Sequence, residues 1–180
     1  RVMEIAGASL EDLLSEIERA WLVAELPRRA DLCREVLSRI SRGKNRRLWA
    51  VLQAELANSL LLSPRCDQRG EEEAITAFRK ALVAWPREER VERAEVEIDL
   101  ALAYAGRRGG GPRENVEKGL RGIRRALRLI KPATAPWLWA RAMSARGDLL
   151  AQRADASPRH WNQAITAYRQ ALEIQSPLTV

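Results

Sequence analysis

Three stretches of this chain superimpose on one another at a constant offset of 45 residues. Glu73 to Leu82 (EAITAFRKAL) matches Lys118 to Leu127 (KGLRGIRRAL), and both match Gln163 to Leu172 (QAITAYRQAL). A period in this range means a stacked array of supersecondary units, each unable to bury its apolar face alone. The apolar positions inside the copies are Ile75, Phe78, Leu82 and Trp85, then Leu120, Ile123, Leu127 and Ile130, then Ile165, Tyr168 and Leu172. Steps of three and four residues trace one face of a helix. The same register recurs earlier as Ala30, Cys33, Leu37 and Ile40, which makes Cys33 a core residue.

Another helix precedes each of these. Leu48, Leu52, Leu56 and Leu60 form a ridge, with Val96, Leu100 and Tyr104 at the equivalent places. Small residues at Ala57, Ala101 and Gly147 let two helix backbones approach closely. Each repeat is therefore a helical hairpin. Ser63-Pro64, the run from Gly106 to Pro112 and Ser157-Pro158 separate first from second helices, and Pro86, Pro132 and Pro177 stop the second ones. Ser157 before Pro158 has the order of an N-cap followed by a proline at the first helical position. A helix from about Ser9 to Glu25, with Leu10, Leu13, Leu14, Ile17 and Trp21 on one face, pairs with the one holding Cys33.

The expected organisation is a single all-α solenoid: a degenerate hairpin over 1–43, then repeats over 44–87, 88–132 and 133–177. The end of the chain after a second helix suggests a fragment of a longer array with its last apolar face uncovered. A hydrophobic fraction of 46% supports a real core.

The second-helix signature Ala74, Phe78, Ala81 and Pro86, repeated as Gly119, Ile123, Ala126 and Pro132 and as Ala164, Tyr168, Ala171 and Pro177, resembles the tetratricopeptide repeat family. The likeness covers roughly residues 44 to 177 and implies a right-handed superhelix of helical hairpins. The repeat is longer than the usual ~34 residues, and Arg146 stands where Leu56 and Leu100 stand. Long repeats opening on Leu48-Trp49-Ala50 and Leu138-Trp139-Ala140 look like the bacterial arrays joined to caspase-like CHAT protease domains.

The resemblance implies a concave face, lined by first helices, that holds a protein or peptide. Carried over residue by residue, its groove positions are Val51, Ala54, Glu55 and Asn58, then Glu95, Ile98, Asp99 and Leu102, then Arg141, Ser144, Ala145 and Asp148. The amide of Asn58 can both donate to and accept from a peptide backbone. Ala54 stands where chaperone-type arrays carry a carboxylate-binding lysine, so that specificity is not expected. The acidic Glu55, Glu95, Asp99 and Asp148 point instead to a basic or neutral ligand.

The net charge of +7, nearly all from arginine, supplies a rival. Loops within the hairpins carry Arg65 and Arg69, then Arg107, Arg108 and Arg113, then Arg153 and Arg159, an edge that could contact phosphates of a nucleic acid. Little aromatic interleaving accompanies it. Self-association through the last apolar face, near Leu172, is a further alternative. Gly109 to Gly111 lacks the spacing of a phosphate loop and reads as a flexible connector. The six tryptophans read as packing residues. Two distant cysteines and the single His160 suggest no metal site or disulfide, and no catalytic group or cofactor is expected. No apolar run is long enough for a membrane span, which fits a cytoplasmic protein without membrane contact.

Overall fold

Helix starts in this chain are set by local chemistry. Ser9 opens the first helix with a reciprocal capping box: its hydroxyl accepts from the Asp12 N–H at 3.1 Å, and the Asp12 carboxylate accepts from the Ser9 N–H at 3.2 Å. The Ser9 hydroxyl also donates to the Asp12 carboxylate at 2.7 Å, and this bond first, then that from the Ser9 N–H, holds the Asp12 carboxyl below its ordinary range. Asp67 caps another helix through the Gly70 N–H at 2.8 Å, and Pro112, Pro136 and Pro158 each begin one. In the computed structural model residues 7–153 and 157–175 are described. They form eight α-helices: α1 (Leu10–Leu22), α2 (Leu26–Arg39), α3 (Arg46–Leu61), α4 (Gln68–Ala84), α5 (Arg90–Gly106), α6 (Pro112–Leu129), α7 (Pro136–Ala151) and α8 (Pro158–Gln175). No strand occurs among the described residues.

The described residues are all-helical and divide at Pro86 into two units, within each of which successive helices pack on their neighbours as in a helical solenoid. In the first, α1 pairs with α2, α3 with α4, and α2 packs on α3. In the second, α5 pairs with α6 and α7 with α8, while α7 also packs against both α5 and α6. The first helix ends at Leu22, earlier than the expected Glu25, because the chain turns through Ala24 in the left-handed region (φ 56°) before α2, which has Pro27 in its first turn. Pro177 lies outside the described residues.

On α2, α4 and α6 the helix faces expected from the 45-residue period are largely buried, whereas on α8 the expected face is not, with Ile165 and Leu172 exposed. Phe78, Cys33 and Ile123 are fully buried, and Ile75, Trp85, Leu120 and Ile130 nearly so. On the first helices, Leu52, Leu56, Val96 and Leu100 are buried, and Ala57 and Ala101 completely so. Gly119, at the place of Ala74 and Ala164, has a physical reason to lack a side chain. A Cβ there would lie 2.7 Å from Leu149 Cδ2 and 3.2 Å from the Ala101 carbonyl oxygen. The core of the second unit runs through Ile98, Ile123, Ile130, Leu138 and Leu149. Burial pushes the Cys33 thiol up to about 12, so it behaves as an apolar core group.

One buried position breaks the apolar pattern. Gln53, Glu97 and Met143 occupy equivalent places on α3, α5 and α7, and all three are buried. Glu97 accepts two hydrogen bonds from Arg125 on α6, at 2.7 and 2.9 Å. These bonds raise the Arg125 pKa above its usual value. Removing the guanidinium strands a buried carboxylate, so Arg125→Ala is expected to cost about 1–3 kcal/mol. Glu97→Gln, the residue found at position 53, should cost less, and urea unfolding of the two variants makes the comparison.

Candidate functional site

The first-helix positions expected to face a partner stand on α3, α5 and α7, and most are half-buried. Val51, Glu55 and Asn58 on α3, Glu95, Asp99 and Leu102 on α5, and Arg141 and Ser144 on α7 all keep part of their surface, while Asp148 is exposed. Ala54, Ile98 and Ala145 are buried and present nothing to a ligand. In the second unit α5 and α7 are joined directly by an ion pair between Arg141 and Asp99. Their groove positions therefore share one surface.

The carboxylates in this set are engaged within the chain. Asp99 is nearly buried beneath Arg141. Asp148 accepts from the Tyr168 hydroxyl at 2.6 Å. Burial first, and then this bond to an anion, push the Tyr168 phenol up to about 12. In the first unit Glu55 pairs with Arg29, a buried side chain from the start of α2. Arg29 also donates to Ser59 Oγ at 3.2 Å and stacks over the Trp21 ring, 4.7 Å from its centroid. Acids neutralised in this way select much less for a basic ligand than their sequence suggests, because the local field is already balanced. Arg29 had a sequence signal that went unread: in the repeat register it stands at the place of the small residues Ala74, Gly119 and Ala164.

The loop arginines differ among themselves. Arg65, Arg69, Arg108, Arg113 and Arg159 are exposed. Arg153 is paired with Glu117 at 3.0 Å. Arg107 donates to Asn115 Oδ1, and buried Asn115 in turn donates to the Gly109 carbonyl at 2.8 Å. The glycine run is thus tied down by Asn115, with Gly110 at a φ of 77°, and is a built turn where a flexible connector was expected. Packing accounts for Trp85, Trp49 and Trp139, whereas Trp21, Trp137 and Trp161 are about half exposed.

One feature of the α7/α8 hairpin had a signal in the sequence: Arg146, on the leucine ridge. It lines a cavity of about 500 Å³ with Arg159, Asn162, Gln163, Thr166 and Gln170. Among the described residues, no group of His, Cys, Asp and Glu side chains is placed to hold a metal ion, both cysteines are free thiols, and no helix is long and apolar enough to cross a membrane.

Fold and surface together define a helical-hairpin repeat protein whose first helices carry mixed polar and apolar positions. No protein-family model matches the sequence, and a comparison with curated proteins returns no match.

Proposed function

We propose that this chain is a non-catalytic, tetratricopeptide-type scaffold that binds a protein or peptide along its first helices. The observation supporting this reading is the joined α5/α7 surface, where Glu95, Leu102 and Ser144 keep accessible area on a rigid, ion-paired platform. Stacked helices order little on binding, so the receptor side loses little entropy. The likeness to arrays joined to CHAT domains makes a regulatory segment of a larger bacterial, cytoplasmic protein the natural setting. Asn58 on α3 is the corresponding contact of the first unit.

Partner capture on the immobilised chain, with and without nuclease, tests the proposal. Nuclease-resistant partners should be retained by wild type and reduced by Ser144→Arg or by Asn58→Ala. Partners that vanish with nuclease, and depend on Arg65, Arg69, Arg108 and Arg113 instead, would transfer the function to nucleic acid.

A second reading, association between copies, is favoured by α8. Trp161, Ile165 and Leu172 are exposed along one stripe, although Ile75 and Leu120, the counterparts of Ile165, are buried. The occupant whose spacing fits is α1 of another copy, where Leu10, Leu14, Ile17 and Trp21 repeat the spacing of Trp161, Ile165, Tyr168 and Leu172; Leu10 and Trp21 are exposed, Leu14 is half-buried and Ile17 is buried. Glu11 and Glu18 flank the first stripe and Arg169 the second. Sedimentation velocity should then show a mass that grows with concentration in wild type and stays monomeric in Ile165→Glu/Leu172→Glu. A wild-type mass independent of concentration sinks this reading.

A further inference from the structure

The cavity beside Arg146 has a counterpart in the first unit, and the contrast between them is chemical. In the α3/α4 hairpin, Leu56, Glu72, Glu73, Thr76, Ala77 and Lys80 line a cavity of about 490 Å³. Moving forward 90 residues gives Arg146, Asn162, Gln163, Thr166, Ala167 and Gln170, all of which line the α7/α8 cavity. The two clefts share these six positions of the hairpin, and the first is also walled by Arg34, Leu37 and Ser38 of α2 and by Gln53. In the first, the acids are balanced: Arg34 from α2 enters it and holds Glu73 through two bonds of 2.8 Å. In the other, leucine has become arginine, both glutamates have become amides, and Arg159 adds a second cation. Among the described residues, no carboxylate lines this cleft, and neither Arg146 nor Arg159 makes an ion pair.

We propose that the α7/α8 cleft is a binding site for an acidic peptide segment. Arg146 and Arg159 receive its Asp or Glu carboxylates, and the amides of Asn162, Gln163 and Gln170 pair with its backbone. Guanidinium groups form their strongest hydrogen bonds with planar carboxylates and with phosphates. The amides decide between those two. A phosphate only accepts hydrogen bonds, which leaves the amide oxygens unmatched, whereas a peptide backbone offers both N–H donors and C=O acceptors. No aromatic side chain lines the cleft to stack a base. Its volume falls within the range of about 300–1,000 Å³ usual for ligand sites. The cleft is lined by none of the α5/α7 groove positions, so this site stands apart from the surface proposed above.

Fluorescence anisotropy of a labelled Glu-Ser repeat peptide on the full chain tests the assignment, with a Lys-Ser peptide, tripolyphosphate and a single-stranded oligonucleotide as comparators. The acidic peptide should bind and the basic one should not. Arg146→Leu, which installs the residue of position 56, and Arg159→Gln should each weaken binding about tenfold, the loss of one charge-assisted contact. Asn162→Glu/Gln163→Glu changes only side chains at the cleft mouth, recreates the acids of the first-unit cleft and should abolish binding. Ser144→Arg should leave it unchanged, which separates this site from the α5/α7 surface. Circular dichroism should show wild-type helix content in each variant. If Arg146→Leu fails to fold, the Asn162→Glu/Gln163→Glu variant carries the test. Unchanged affinity in these variants overturns the proposal. So does tighter binding of tripolyphosphate or the oligonucleotide with the same dependence on Arg146, which would make the cleft a phosphate site.

Discussion

Phe78→Ala is expected to lower stability by about 3–5 kcal/mol, the largest loss from any single truncation in this chain. Phe78 heads the fully buried side chains by volume. The size of the loss depends on whether neighbours can collapse into the space, and the composition of the hairpin says they cannot. The buried positions of α3 and α4 include Ala50, Ala54, Ala57, Ala74, Ala77, Ala81 and Ala84. An alanine has no rotamer to swing into a void, so the cavity term persists in full. Phe78→Leu should cost only about 1–2 kcal/mol, since the equivalent position on α6 is filled by the smaller, fully buried Ile123. Urea unfolding followed by circular dichroism measures both. A Phe78→Ala loss below that of Phe78→Leu would show that the hairpin is looser than its packing implies. Domain stabilities are generally about 5–15 kcal/mol, so the alanine variant should sit near the edge of folding.

Gly147→Val should cost about 2–3 kcal/mol through the opposite mechanism, excess volume. A Cβ at position 147 would stand 2.6 Å from both Cε1 and Cζ of Tyr168. The ring cannot retreat freely, because its hydroxyl is bonded to Asp148, the residue next to Gly147 on α7. Glycine inside a helix ordinarily loses about 1 kcal/mol relative to alanine. Gly147→Ala therefore gains in propensity what it partly loses in the clash, and valine is the cleaner test. A double-mutant cycle isolates the cause: Tyr168→Ala opens the space, so Gly147→Val should cost at least ~1 kcal/mol less in that background. Equal costs in the two backgrounds would refute the steric account.

Both effects rest on positions visible in the sequence. The small residue on each first helix and the bulky residue on each second helix recur with the repeat, and Gly147 meeting the Tyr168 ring is the physical content of that pairing. Helix bounds were legible where a cap or a proline marks them, and missed at Leu22, where an unmarked alanine adopts the left-handed turn. The expected groove residues lie on α3, α5 and α7, the first helices of the hairpins. Their electrostatic character was misjudged, because Glu55 and Asp99 are each held by an arginine from another helix.

By itself, the sequence determined the hairpin units, which face is buried on the helices before α8 and where backbones must approach. Those features follow from periodicity, since apolar burial adds up locally along a helix face and repeats whenever the pattern repeats. The tertiary structure alone decided the partners of Arg29, Arg125 and Arg141, and the contrast between the balanced and the cationic cleft. An arginine's long side chain can reach several acceptors, and which one it takes depends on helices 26 to 42 residues apart meeting at one register. No period in the chain encodes that meeting. It is set by packing, and it converts a row of acids and bases readable as ligand contacts into internal ties, leaving Arg146 and Arg159 without carboxylate partners among the described residues of their cleft.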